Sequence, residues 1–273
     1  MKRDLLIIGF YYENNKEYKP ISGLSVDMFH VHKYFSSPDC KVNILTDVQD
    51  PMKEHQSGIG FMLRKGIVTT ELASFLDNKK ETKLVLNKQQ FLESLKKIEI
   101  TSKRLVIYFS GHSSDGNIIL PHGEEIPFSE LISIMDKKGS GMQIMTIFDC
   151  CYPDDLNLKF TLKNKQFVLH GKNKIKNEIV LLCSSSKNQI SLAKESGSFF
   201  TYYLIDFLKE IKKNNRSFIL HELKDGVTNL IKKETSRNNQ TVSVYSNSFD
   251  DVLWSWVVLD VDIRVKNNSL YIS

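Results

Sequence analysis

Proline is scarce, 6 residues in 273, and no long low-complexity stretch or internal repeat interrupts the chain, so nothing announces a rigid linker between domains. Cysteine is scarcer still. The four at positions 40, 150, 151 and 183 form no C-x-x-C pair, and a bridge between the adjacent two would be badly strained. A disulfide scaffold is thereby excluded, and a reducing, cytoplasmic-type compartment is expected. No run approaches the ~20 apolar residues of a membrane helix. The first apolar run, Leu5 to Phe10, is shorter than a secretory h-region and reads as a strand. Gly171-Lys172-Asn173 lacks the spacing of a phosphate-binding P-loop.

What the chain has is an ordinary globular composition, 41% hydrophobic and 25% charged, long enough to bury about three quarters of its unfolded surface in one core. The net charge of +5 comes from 37 basic and 32 acidic residues. It is unevenly placed. Residues 156–177 carry six lysines and no acid, which leaves 31 basic against 32 acidic residues elsewhere. A uniformly basic, general nucleic-acid binder is excluded. The basic segment itself has three readings: a solvated surface loop, a set of cleavage sites, or a patch that captures an acidic partner.

Five short apolar runs, Leu5–Phe10, Val42–Leu45, Leu105–Phe109, Ile144–Phe148 and Ile179–Cys183, read as strands buried on both faces. Helical periodicity falls between and after them, at 88–99, 127–137, 200–211 and 220–231, with Ser198 as N-cap of the third. Segment 48–87 is ambiguous, a loop followed by a helix near 69–77. The tail reads as strands at 241–245 and 253–273, with a hairpin around Asn267-Asn268. Strands alternating with helices predict an α/β fold with a mainly parallel sheet and helices on both faces. Ligands then bind beyond the carboxyl ends of the strands.

Two strand ends carry chemistry. The third gives Tyr108-Phe109-Ser110-Gly111-His112-Ser113, and the fourth gives Phe148-Asp149-Cys150-Cys151-Tyr152-Pro153-Asp154. Alone, each is ordinary: a Cys at a buried strand end is usually core filler, and a lone His is usually satisfied structure. Together they place an imidazole beside a thiol on a rigid edge, as a thiol nucleophile requires. Asp115-Gly116 reads as a turn before a strand at 117–120. His30 and His32, two apart on a helix, face different ways and are not read as metal ligands.

The first of these segments resembles the Y-x-S-G-H-G segment of the caspase–metacaspase superfamily, and the second its D-S/C-C-H-S-G segment. Other landmarks follow in order: Leu5-Leu6-Ile7-Ile8-Gly9 is similar to the first family strand, Leu24-Ser25-Val26-Asp27 to its G-c-x-N-D helix start, Leu45-Thr46-Asp47 to its L-T-D, and Cys183 to Gln189 to its cleft-lining S-C-x-x-x-Q. The resemblance spans roughly residues 4–212, closest to the metacaspase type. It implies a caspase-like sandwich over 1–240, with a variable insertion at 48–87, a basic activation-type loop at 156–177, and C-terminal strands at 241–273 packed on the same domain.

It further implies a Cys–His hydrolase in which Cys151 is the nucleophile and His112 the base, with backbone N–H groups of Ser113 and Cys151 at the oxyanion. Asp27, Ser110, Asp149 and Ser184 would bind substrate, the two acids selecting Lys or Arg at P1. Lys159, Lys163, Lys165, Lys172, Lys174 and Lys176 become candidate self-cleavage sites. Ser113 stands where the family has Gly, Tyr152-Pro153-Asp154 replaces H-S-G, and the acidic calcium-binding insertion is missing. No cofactor or metal is expected. The expected partner is a protein or peptide substrate, neither nucleic acid nor membrane, with a regulatory partner or small-molecule activator and a homodimer as further candidates. A catalytically inactive caspase-like interaction module is the alternative function.

Overall fold

A computed structural model of the chain describes residues 2–48, 74–75, 78, 80–151, 159–163, 166–170, 175–186, 189–194, 197–235, 240–248, 263–266 and 269–272. The elements, in chain order, are β1 (Asp4–Gly9), α1 (Leu24–Phe35), β2 (Lys41–Thr46), β3 (Thr82–Leu84), α2 (Lys88–Lys97), β4 (Arg104–Ser110), β5 (Ser113–Ser114), β6 (Asn117–Ile119), β7 (Glu125–Pro127), α3 (Phe128–Asp136) and β8 (Gln143–Asp149). They continue with β9 (Lys159–Lys163), β10 (Gln166–His170), β11 (Glu178–Cys183), β12 (Ala193–Lys194), β13 (Gly197–Ser198), α4 (Phe199–Lys213), α5 (Leu220–Glu234), β14 (Ser243–Ser246), β15 (Ile263–Lys266) and β16 (Ser269–Ile272).

One sheet organises them, in the order β3-β2-β1-β4-β8-β11-β14-β10-β9. From β3 through β11 all neighbours are parallel, and β14 then runs antiparallel to β11. Strand alternation divides the core in two. Leu5, Ile7, Val106, Tyr108, Met145, Ile147, Val180 and Leu182 pack with α1, α4 and α5. Leu6, Ile8, Leu105, Ile107, Phe109, Ile144, Phe148, Ile179 and Leu181 pack with α2 and α3 on the other face. Each run is therefore apolar at every position, which is why it shows no alternation in sequence.

All five expected strands and four expected helices are present. Ser198 caps α4, its hydroxyl accepting from the N–H groups of Phe200 and Thr201. Asp115 and Gly116 both hold positive φ, 47° and 76°, and turn the chain between β5 and β6, as a two-residue hairpin demands. Strands β15 and β16 pair antiparallel on either side of 267–268. The expected helix near 69–77 and the strand residues from 253 to 262 lie outside the described residues, apart from 74 and 75.

Two features depart from expectation. Strand β3 is short and polar, an edge strand with no apolar pattern to announce it. The supposed basic loop contains a hairpin, β9 and β10, in register Lys163 to Gln166, with β10 alongside β14. Phe160 and Leu162, then Phe167 and Leu169, carry the period-two pattern that the lysine count concealed.

At the sheet's opposite, amino edge, the buried carboxylate of Asp136 receives the backbone N–H groups of Lys176 (3.1 Å) and Asn177 (3.0 Å) and the Asn177 side chain (2.9 Å). These bonds fix the entry to β11. Asp136→Ala leaves buried donors unpaired and is expected to lower unfolding free energy by about 2–4 kcal/mol in urea titrations. Removing the exposed His221–Asp225 pair should cost less than about 0.5 kcal/mol.

Candidate active site

Parallel strands in register release their chains at one edge. The pairing sets Gly9 beside Ser110 and Ser110 beside Asp149, so the segments after β1, β4 and β8 converge. A cavity of about 460 Å³ opens there, lined by Asp27, Ser110, His112, Asp149, Cys151 and Ile190 among others. A larger hollow, about 830 Å³, lies at the amino edge among Lys2, Arg104, Gln143 and Lys176, remote from the thiol.

Cys151 is half-buried and its carbonyl accepts the Ser113 hydroxyl. The preceding residue, Cys150, is 2% exposed within the apolar core. Its N–H donates to Ser184 Oγ (3.1 Å), and Ser184 donates back to its carbonyl (2.9 Å). Ser184 is fully buried and does not line the cavity. This corrects its expected side-chain contact with substrate: just past the end of β11 it reaches sideways to the chain leaving β8 and clamps Cys150. Burial pushes the Cys151 thiol above its ordinary range; a hydrogen bond from the Ser191 N–H opposes this, and the Asp149 charge adds to it.

His112 follows β4 after a single residue, Gly111. Its Nε2 lies 2.7 Å from the carbonyl oxygen of Lys19. A carbonyl only accepts, so this nitrogen carries the ring proton, and the neutral ring keeps its lone pair on Nδ1. The rings of Tyr12 and Tyr18 flank the imidazole, with centroids at 4.7 and 5.3 Å. Ser113 pairs with Ile118, one step beyond the bond from Ile119 N–H to the His112 carbonyl. Antiparallel alternation therefore turns the Ser113 N–H away from β6.

Two carboxylates form the cavity floor. Asp149, 5% exposed, accepts hydroxyls of Ser191 (2.9 Å) and Thr201 (2.6 Å). Burial raises its pKa, and the hydroxyls of Ser198, Thr201 and Ser191 partly offset that. Asp27, 4% exposed, accepts the Ser198 N–H at 2.8 Å. Gly197 makes this possible: its φ is 105°, and a Cβ there would stand 2.3 Å from Asp27 Oδ1. Tyr108 joins the network through Thr201 Oγ1 (2.8 Å). Burial pushes the phenol well up, and the charges of Asp27 and Asp149 push it further.

The structure thus gathers Asp27, Ser110, His112, Asp149 and Cys151, with Ser113 beside them. It separates Lys176, which precedes β11 at the amino edge. Six strand residues, about 20 Å, stand between it and the thiol edge, so the Lys176–Asn177 bond is out of reach of its own Cys151. Through Leu162, Phe167, Tyr245 and Leu181 the register sets Lys163 at the carboxyl end of the sheet and Lys159 toward the amino end. Lys165, Lys172 and Lys174 lie outside the described residues. Sequence reasoning missed Tyr12, Ser191 and Thr201. Only Thr201 left a trace, a polar residue among the apolar positions of α4.

A thiol, an imidazole and two carboxylates line one cleft at the carboxyl edge of a parallel sheet flanked by helices, in a three-layer α/β protein. The caspase domain model matches residues 5–253, and the chain belongs to that family of cysteine peptidases. Comparison with curated proteins finds no match. Among the described residues, no helix is long and apolar enough to cross a membrane, and no group of three His, Cys, Asp or Glu side chains is placed to hold a metal ion.

The Asp149 charge carries a stability cost with a defined pH sign. With its folded pKa raised, the carboxyl favours the fold while protonated and loses that contribution as pH rises through the folded value. Asp149→Asn should therefore melt a few degrees above wild type at neutral pH. The difference should vanish at pH values below the ordinary carboxylate range, as read by thermal unfolding across pH.

Proposed function

We propose that the chain is an endopeptidase of metacaspase type that cleaves after Lys or Arg, with Cys151 as nucleophile and His112 as base. The observation that carries this reading is the convergence of thiol, imidazole and two buried carboxylates on one cavity. A P1 ammonium or guanidinium entering it would meet Asp27 and Asp149 with charge and hydrogen bonds. It would also neutralise the Asp149 charge, which adds a smaller push to the thiol that burial already holds up.

The chemistry then runs from a neutral thiol. His112 Nδ1 takes the Cys151 proton as Sγ attacks the scissile carbonyl, and N–H groups of Ser113 and Cys151 receive the developing oxyanion. His112 returns the proton to the leaving amine. Water, deprotonated by the same ring, then releases the acyl group from sulfur.

Ser191 supports a requirement for activation. Its N–H bonds the thiol and its hydroxyl occupies Asp149, so substrate must displace it. Self-processing, a bound signal or a partner would supply that step. Lys163 is the described lysine best placed for self-cleavage, while Lys176 would be cut only by a second molecule. The sequence resemblance supports a homodimer and one peptidase domain over 1–240, and the few cysteines without disulfide-type spacing support a cytoplasmic setting; the place of β14 within the sheet supports packing of the following tail on the same body.

Fluorogenic peptides with Arg, Lys or Asp at P1 test the reading. Arg and Lys substrates should turn over, and Cys151→Ala and His112→Ala should abolish it. Asp27→Ala and Asp149→Ala should each lower kcat/KM for Arg by about 100-fold, the scale of a lost charge-assisted bond. Preference for P1 Asp would overturn the pocket assignment. Absence of Cys151-dependent turnover under every activating condition would favour the inactive interaction module.

A further inference from the structure

We infer that Tyr12 is a positioning residue for His112, acting through a hydroxyl inserted into the β-ladder beside it; this rests on the reading of His112 as the base. The ladder between His112 and Ile119 is half direct and half bridged. Ile119 N–H donates to the His112 carbonyl at 3.0 Å. The reciprocal bond is interrupted: His112 N–H donates to Tyr12 Oη at 2.8 Å, and Tyr12 Oη donates to the Ile119 carbonyl at 2.7 Å. One hydroxyl therefore holds the strands apart at the residue that carries the imidazole. The ring of the same tyrosine packs on that imidazole.

Three features hold Tyr12 in place. Its backbone takes φ 65°, a conformation costly for a bulky residue. The buried Asp47 carboxylate fixes it, accepting Tyr11 N–H at 2.6 Å and Tyr12 N–H at 2.7 Å. Gly111 gives the hydroxyl room, since a Cβ there would lie 2.8 Å from Tyr12 Oη. The Asp of L-T-D and the Gly of S-G-H thus serve one purpose from two strands: they seat a phenol against His112. With the phenol in place, Nε2 reaches the Lys19 carbonyl and Nδ1 is left as the basic nitrogen.

Tyr12→Phe keeps the ring and removes the bridge. The ladder is then free to close, since a direct N–H to carbonyl bond needs only ~2.9 Å. Closure draws His112 toward β6 and alters its distance to the Lys19 carbonyl. Displacement on this scale is expected to lower kcat by about 10- to 100-fold with KM within about twofold. Nitrogen-15 spectra of His112, recorded in a Cys151→Ala background, should show the Nε2–H tautomer when Tyr12 is intact and a mixture of tautomers in Tyr12→Phe. Wild-type kcat together with an unchanged single tautomer in Tyr12→Phe would overturn the inference. If His112→Ala retains turnover, the assignment of the base fails instead, while the tautomer spectra still decide the role of Tyr12. Asp47→Asn, which removes the acceptor for one of the two N–H bonds, should move both readouts the same way and serves if Tyr12→Phe does not fold.

Discussion

Six strands running one way must all release their chains at one edge, and the rest of the molecule follows from that constraint. The register that aligns Gly9, Ser110 and Asp149 forces three unrelated loops into a few ångströms of common space. Helices on both faces close every other outlet for the apolar side chains. What remains open is a cleft whose walls are strand ends. Groups placed there inherit the rigidity of the sheet, which a reaction sensitive to misplacement of about 1 Å requires.

The same packing makes the cleft expensive. Asp27, Asp149 and Tyr108 are held almost without solvent, where an ionised carboxyl is disfavoured. Hydroxyls from Ser191, Ser198 and Thr201 moderate the cost without supplying a countercharge to Asp149. A floor of this kind would be stabilised by an entering cation, which is the property that the proposed pocket for Lys or Arg needs. The thiol follows the same logic, since burial and the Asp149 charge hold it neutral at rest.

How far this was readable before the structure depended on where each signal resides. Strands buried on both faces are apolar at every position, so β1, β4, β8 and β11 stood out with a His and a Cys pair at two of their ends, and the family resemblance then singled out Cys151 and His112. Strand β3 carries no apolar pattern, and β9 and β10 hid behind their lysines. Ser184 was read as a cleft residue because Cys183 to Gln189 resembles the cleft-lining S-C-x-x-x-Q segment, whereas its hydroxyl turns sideways to Cys150. The Lys19 carbonyl and the bridging hydroxyl of Tyr12 had no signature at all. A backbone oxygen belongs to every residue, and one tyrosine among ten is marked out only by the ladder it enters.

The central claim is that Cys151 is a nucleophile addressed through an acidic pocket. Intact-mass analysis after exposure to a peptidyl acyloxymethyl ketone tests it most directly, because one covalent adduct reports both thiol and pocket. With Arg at P1, a single adduct is expected on wild type, mapped to Cys151 by peptide digestion, with none on Cys151→Ala and little with Asp at P1. Equal labelling regardless of the P1 charge, or an adduct on Cys40, Cys150 or Cys183 in place of Cys151, would contradict the account.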